Sequence, residues 1–408
     1  MPAKQGIQRA SNRQAILTQR RNLKMASSVH AYVRGNTAKF YAWLNETHVS
    51  TLPEGPAIWI CGDCHTGNLG PVANAKGKVE IQIRDLDQTV IGNPAHDLIR
   101  LGLSLATAAR GSDLPGVVTA KMIEAVYSGY TMAFAADADS EQNPAPKKPD
   151  LIRIVLRKSI NRTWQHLAKE RLDDIEPTIP LGKRFWPLTK KEDLAIRQLF
   201  QDQEISDIAR KLHGRANKGI VELLDAAYWV KGCSSLGRLR YAVLLDVDDH
   251  VSDGEDLCLI DIKEGTTALA PRYQGSAMPR DNAQRVVEGA RHLSPYLGER
   301  MHAARLLDRS VILRELLPQD LKLEVDGITA AEATEVARYL AYVVGKAHAR
   351  QMDAAVAKSW LAELKRSQGK SLAAPLWLWH SVVELVSSHE AGYLEHCRRY
   401  ALAEAGSA

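Results

Sequence analysis

Apolar positions along the chain fall mostly at helical spacing, broken by two islands whose period is that of strands. Residues 12 to 46 read as helical, with Arg34 and Gly35 inside the stretch. In the first island Val79, Ile81 and Ile83 alternate with Glu80, Gln82 and Arg84, the two-residue period of a half-buried strand. Asn74 to Lys78 carries the turn before it, with Gly77 able to take positive φ. A hairpin is expected, with Asn68 and Asp85 at neighbouring ends of its strands. Gly92-Asn-Pro-Ala-His-Asp97 then leads into an apolar helix from Leu98 to Ala109, and helical spacing persists from 95 to 135. Residues 136 to 150 are polar and contain proline, a surface loop. Two or three helices are expected from there to about residue 226.

The second island runs from Tyr228 to Leu317. Trp229-Val-Lys-Gly-Cys-Ser-Ser-Leu-Gly237, Tyr241-Ala-Val-Leu-Leu245 and Leu257-Cys-Leu-Ile-Asp-Ile-Lys263 predict strand, glycine/serine loop, strand, acidic turn, strand. A helix follows near Asp281, with Ala283, Val286, Val287 and Ala290 as its apolar stripe. Ser310 to Leu317 is a strand running into a connector. Beyond it, helices are expected around Ala330 to Gln351 and Pro375 to Ala403. No internal repeat is visible.

A chain of 408 residues is large for one core, so two lobes are expected. The apolar content of 45% and charged content of 25% are those of a globular protein, and no apolar run is long enough to span a membrane. The net charge of +5 is spread along the chain and is too mild to argue for nucleic acid. Lys4, Arg9, Arg13, Arg20, Arg21 and Lys24 make the N-terminal segment basic; without an apolar core it reads as a solvated arm, with an organellar transit peptide as the alternative. Five cysteines, an odd number, suit a reducing, cytoplasmic setting. Cys61 and Cys64 form a C-x-x-C pair, but neither a thioredoxin-like unit nor a second pair of zinc ligands accompanies it.

The chemistry concentrates in Cys61-Gly-Asp-Cys-His-Thr-Gly-Asn68 and Arg84-Asp-Leu-Asp87. An aspartate five residues before an asparagine is the spacing of a phosphotransferase catalytic loop, where Asp63 would orient a hydroxyl and Asn68 would bind a metal. Asp85, assisted by Asp87, would supply the other metal contact. Magnesium (Mg2+) needs few protein oxygens, because phosphates and water fill its remaining positions. The alternative is a turn-rich hairpin whose Asp and Asn side chains only satisfy backbone donors. His65 would orient the loop, and His348 reads as a helix packing residue. Arg34 is either a helix-surface arginine or a charge facing this loop.

In the second island Gly232, Ser234, Ser235 and Gly237 would let main-chain N–H groups cradle phosphates. Lys263 shares a strand face with Leu257, Leu259 and Asp261, and would hold ATP phosphates or else end its strand at the surface. Glu288 is its candidate partner but points away from the apolar stripe, and Glu264 is a rival. Glu315 and Leu317 fall where a nucleotide lobe places its hinge. The order is unusual: Asp63 precedes Lys263 by 200 residues, whereas in ordinary kinases the glycine loop and lysine come first. A circular permutation reconciles this and requires Lys263 to lie beside Asp85.

Several segments together resemble one bacterial family. They are Lys24-Met-Ala-Ser-Ser-Val-His-Ala-Tyr-Val-Arg-Gly35, Gly62 to Gly70, Asp85-Leu-Asp87, Asp97-Leu-Ile-Arg-Leu101, Gly232 to Gly237, Lys263-Glu264 and Gly345-Lys-Ala-His-Ala-Arg350. The family is domain of unknown function twenty-two fifty-two, grouped with protein-kinase-like and aminoglycoside-phosphotransferase-like folds. Cys61 departs from the small-molecule kinases, which usually carry His there. The resemblance implies an α+β, two-lobed, circularly permuted kinase-like fold. Its expected parts are a helical lobe over 1–227, a β-rich nucleotide lobe over 228–317, and completing helices over 318–408. The expected function is ATP- and Mg2+-dependent phosphoryl transfer to an unidentified hydroxyl-bearing acceptor. Nucleotidyl transfer to a protein, a non-catalytic nucleotide-binding scaffold, and a metal hydrolase built on Asp63, His65, Asp85 and Asp87 are the other readings.

Overall fold

The computed structural model describes residues 12–47, 52–135, 145–162, 178–210, 221–232, 236–247, 257–321, 323, 329–366 and 373–400. Helices and strands are segregated, as in an α+β protein. Among the described residues no helix is long and apolar enough to cross a membrane.

The helical body is built on α4 (Ala95–Gly111), which is buried from Ala95 through Ala109. Around it pack α2 (Val29–Gly35), α3 (Thr37–Thr47), α5 (Gly116–Ala135) and two later helices, α11 (Ala330–Ala349) and α13 (Leu376–Tyr400). The chain therefore closes this body with segments from both of its ends. A Cβ on Gly129 of α5 would fall on the Arg338 carbonyl of α11, and one on Gly345 of α11 would meet Tyr130, so paired glycines set how closely these helices cross. Two short antiparallel pairs sit on the same core: β1 (Ile58–Ile60) with β4 (Val90–Gly92), and β2 (Leu69–Ala73) with β3 (Val79–Ile83). The latter is the expected hairpin.

The second unit is a 6-stranded antiparallel sheet of order β5-β6-β7-β8-β10-β9. Its strands are β5 (Phe185–Trp186), β6 (Val221–Trp229), β7 (Arg240–Val247), β8 (Leu257–Glu264), β9 (Met301–Leu306) and β10 (Arg309–Glu315). Two separate apolar clusters cover its faces. Between β8 and β9, α9 (Asn282–Leu293) starts at Asp281, which accepts from Ala283 N–H and Gln284 N–H and also from the Ser310 hydroxyl of β10. The short α10 (Pro295–Gly298) follows it. Ala283, Val286, Val287 and Ala290 of α9 are buried in the core of the helical body, which joins the two units.

Three expectations change. The stretch before residue 226 holds α6 (Asp150–Ile160), α7 (Lys190–Leu199) and α8 (Gln203–Arg210), but also β5 and β6, so the sheet recruits strands from before residue 228. Glu222, Leu223, Leu224, Ala226 and Ala227 are acceptable in a helix; pairing of β6 along fully buried β7 overrides that local preference. A helix absent from the sequence reading, α12 (Ala354–Lys365), precedes α13, started by Asp353 accepting from Val356 N–H. Lastly, the basic N-terminal residues from Arg13 on are not a solvated arm. They form α1 (Arg13–Met25), in which Arg13 is ion-paired with Glu192 at 2.8 Å and Arg20 lies over the Trp186 ring. Lys4, Arg9, the acidic turn before Leu257 and most of the polar stretch 136–150 lie outside the described residues.

Candidate functional site

The segment Cys61 to Asn68 follows β1 and is fixed from below by α4. Gly62 sits at φ +72, and a Cβ there would collide with the Gln88 carbonyl, so only glycine suits this turn. Asp97, fully buried in the first turn of α4, accepts from Cys61 N–H at 2.7 Å and from Gly62 N–H at 2.9 Å. His348 of α11 reaches the same carboxylate at 3.2 Å through Nε2. Its Nδ1 meets the Tyr130 hydroxyl at 3.0 Å, and Trp360 Nε1–H donates to that hydroxyl at 2.9 Å. His348 is thus a satisfied packing residue that braces the loop.

Within the loop Asp63 is nearly buried. Arg100 Nε–H donates to its Oδ1 at 2.8 Å and the Thr37 hydroxyl to its Oδ2 at 2.9 Å. Asn68 Nδ2–H donates to the Asp63 carbonyl at 3.0 Å, tying the two ends of the segment together. Burial, then the charges of Arg34 and Arg100, push His65 well below the usual imidazole range, so it is neutral. It lies 3.9 Å from Asp63, beyond hydrogen-bond reach, and its buried Nδ1 has no partner among the described residues. Arg34 of α2 packs its guanidinium where a Cβ on Gly67 would be.

The hairpin carries the second half. Arg84 N–H donates to the Asn68 carbonyl at 2.7 Å directly after the β2–β3 ladder, which brings Asp85 alongside the loop. Lys263 of β8 then reaches across: its Nζ is 3.2 Å from Asp85 Oδ1 and 2.5 Å from Asp87 Oδ2. Burial raises the Asp85 carboxyl, but Lys263 and Arg240 outweigh it and hold Asp85 well below the usual carboxylate range. Burial and then the charge of Asp85 push Asp87 upward. Two residues along β8, Asp261 takes a two-pronged contact from Arg240 at 2.9 and 2.5 Å and a further one from Arg314 at 3.2 Å. Burial opposes its charge, yet these arginines keep its carboxyl well below the usual range.

One cavity of about 830 Å³ joins these groups. Of the residues singled out in the sequence, Asp63, His65, Asn68, Asp85, Asp87, Gly232, Lys263 and Leu317 line it. Gly232 and Gly237 take positive φ, at 103 and 97, and bracket the loop; Ser234 and Ser235 lie outside the described residues. Gly237 does not line the cavity; a Cβ on it would meet Gln14 of α1.

Glu288 and Glu315 do not join the cavity lining either. Glu288 is on the outer face of α9, paired with Arg291 at 3.2 Å and with His292 at 3.3 Å, and does not meet Lys263. The helical turn of α9 points it away from the buried stripe, and Asp85 and Asp87 occupy the place assigned to it. The rival Glu264 is engaged by Arg309 and by Leu239 N–H. Glu315 is fully buried on the sheet; its carbonyl accepts from Arg300 Nη1 at 2.8 Å and its carboxylate from the Cys258 thiol. Leu317, two residues on, lines the cavity.

Asp97, Arg100, Thr37, Asp261, Arg240 and Arg314 were not assigned roles from the sequence. The signals present were the shared face of Asp261 and Lys263 on β8 and the segment Asp97-Leu-Ile-Arg-Leu101, which holds Asp97 and Arg100. Ligand atoms of Cys61, Cys64 and Asp97 lie within 4.8 Å of one another. Asp97 is already bonded there by two N–H groups and His348, and both thiols are shifted upward, so the trio reads as a loop anchor. Among the described residues Asp63, His65, Asp85 and Asp87 do not converge in this way.

A family model described as "Uncharacterized protein conserved in bacteria (DUF2252)" matches residues 13–399. No curated protein and no solved structure matches the chain.

Proposed function

The chain belongs to this family of uncharacterized bacterial proteins, and we propose that it is an ATP- and magnesium-dependent phosphotransferase with a circularly permuted kinase-like fold. The observation that carries the reading is Lys263 on the sheet touching Asp85, 178 residues away, and Asp87, both just after the hairpin, inside the cavity that also holds Asp63 and Asn68. The sheet would be the nucleotide lobe and the helical body the acceptor lobe, with Leu316 to Pro318 as connector.

The donor set suits a magnesium–nucleotide pair. Asp85 is ionised and half open to the cavity. Asn68 donates with its amide nitrogen to Asp63, which leaves Oδ1 as the ligand atom it offers. One carboxylate and one amide are enough for magnesium held largely by phosphates and water. When bound, the metal would neutralise charge developing on the transferred phosphoryl group.

Lys263 would turn from the two carboxylates to the nucleotide phosphates, beside the positive-φ Gly232. Asp63, held by Arg100 and Thr37, would present its remaining lone pairs to an acceptor hydroxyl and fix its line of approach. Asp97 and His348 would keep the loop rigid. Catalysis would rest on positioning and electrostatics.

Titration calorimetry of Mg–ATP against the wild type and Asp85→Asn tests this. Loss of one of few metal ligands should weaken binding about tenfold or more; equal affinity would sink the metal assignment. A second reading, transfer of AMP to a protein, draws on the same Lys263 and Asp85 and is favoured by Asp63 already carrying two donors. Mass spectrometry of reaction products separates the two by the mass added.

A further inference from the structure

The cavity is walled by two kinds of element: Lys263, Arg240 and Arg314 come from the sheet, whereas the last turn of α1, the joint between α2 and α3, and the end of α13 come from the helical body, with Lys24 of α1 reaching the Gly232 carbonyl. Arg34 stands on the helical wall, on α2, three residues before the Thr37 that bonds Asp63.

Its surroundings are unusual for an arginine. Its Nε is buried and has no hydrogen-bond partner, and no carboxylate among the described residues lies within ion-pair distance of it. Its Nη1 and Nη2 make no hydrogen bond with the described residues either and keep access to the cavity, so these paired donors stand open to an anionic ligand. The packing against Gly67 holds it in place, since any Cβ there would displace it.

The charge around it has the same sign. Arg21 and Lys24 line this wall as well, and Lys24 donates only to a neutral carbonyl, that of Gly232 at 2.8 Å. The carboxylates of the cavity are already matched: Asp63 with Arg100, Asp85 and Asp87 with Lys263, Asp261 with Arg240 and Arg314, and Asp320 with Arg300. The helical wall is therefore a patch of uncompensated positive charge next to the group assigned to the acceptor hydroxyl. Arginine offers a planar pair of donors that fits phosphate and carboxylate oxygens.

Resting on the phosphotransferase reading above, we propose that the acceptor is a small hydroxyl-bearing molecule that itself carries an anionic group, a phosphate or a carboxylate, and that Arg34 is its anchor. The cavity volume of about 830 Å³, shared with a nucleotide, is that of a small-molecule site. Arg34 and Asp63 then act together, one holding the anionic group and the other the hydroxyl.

The test uses the full chain saturated with magnesium and a non-hydrolysable ATP analogue, so that the nucleotide site is filled. Inorganic phosphate, glycerol 3-phosphate, glycerate and glycerol are titrated by calorimetry. The three anions should bind and glycerol should not, and the ratio of glycerol 3-phosphate to glycerate tells phosphate from carboxylate preference. Arg34→Gln should weaken anion binding about tenfold or more and Arg34→Lys less, because a lysine keeps the charge but not the paired donors. Affinity for the analogue should stay the same, which also reports that the variants are folded. Absence of anion binding to the wild type, equal binding to Arg34→Gln, or an equal loss of analogue binding would each overturn the proposal. If the analogue fails to bind the wild type, the phosphotransferase reading falls by itself. Titrating phosphate into the nucleotide-free chain then still reads whether Arg34 anchors an anion.

Discussion

Asp97 lies outside the segment that the sequence marks as chemical, yet the geometry of that segment depends on it. Its carboxylate accepts from Cys61 N–H, Gly62 N–H and His348, all of them buried. Replacing it with alanine leaves two backbone donors without acceptors at the point where Gly62 turns, and water cannot reach them. Asp97→Ala should destabilise the fold by roughly 3–5 kcal/mol, the range for breaking a buried charged contact. Urea unfolding of the two proteins measures the difference; a loss under about 1 kcal/mol, the worth of one ordinary hydrogen bond, would show that the loop holds its own shape. Asp63, Asn68 and Asp85 were legible in the sequence because a loop and a hairpin fix their spacing locally. Asp97, Arg100 and Thr37 were not: their contacts come from helices passing beneath the loop, and no local spacing encodes which helix passes there. Asp261 with Arg240 and Arg314 was hidden for a similar reason, since strand register decides that match.

Among elements, α5 and α11 show how a small side chain sets the position of a whole helix. Gly129 and Gly345 face each other's backbones, and α11 carries the His348 that braces Asp97. Gly129→Ala should push the two helices apart and destabilise by about 1–3 kcal/mol or more, the usual cost of overpacking. Gly111→Ala, at the end of α4, is the control: a Cβ there meets nothing within 4 Å. Alanine's better helix propensity should leave stability unchanged or raise it by up to about 1 kcal/mol. Thermal unfolding of both variants checks the pair, and equal shifts would deny the close crossing. Helix α9 was readable because burial on one face writes itself into the sequence, and α4 and α11 because long apolar stretches mark helices buried on most sides. Strand β6 was not, because Glu222 to Ala227 suit a helix locally and become a strand only beside β7.

At the scale of the molecule, α1 ties the sheet to the helical body: Leu17 sits in the sheet's core, and the Asn22 carbonyl meets His396 Nε2 of α13 at 2.8 Å. The whole fold also carries buried histidines that stay neutral, and these make its stability depend on pH. Burial pushes His96 down to about 4 and His389 down to about 3, and pushes His65 well below the usual range as well. In the unfolded chain each would titrate near ~6.5. A histidine depressed in the folded state favours folding fully above the unfolded value, and that contribution is lost as pH falls. Between about pH 6.5 and 4 the unfolded chain binds protons that the native one refuses, so stability should fall by roughly 1.4 kcal/mol per pH unit for each such histidine. Asp85 and Asp261, held low in the folded state, add to the loss only nearer ~pH 4, where unfolded aspartates protonate. The slope between pH 6 and 5 therefore reports the histidines, opposed only by the upward-pushed carboxyl of Asp87, which takes its proton earlier in the folded chain. Urea unfolding across that interval should show it, and His389→Gln should make the slope shallower by one histidine's share. Stability that stays level from pH 7 to 5 would mean that these imidazoles accept protons inside the folded protein.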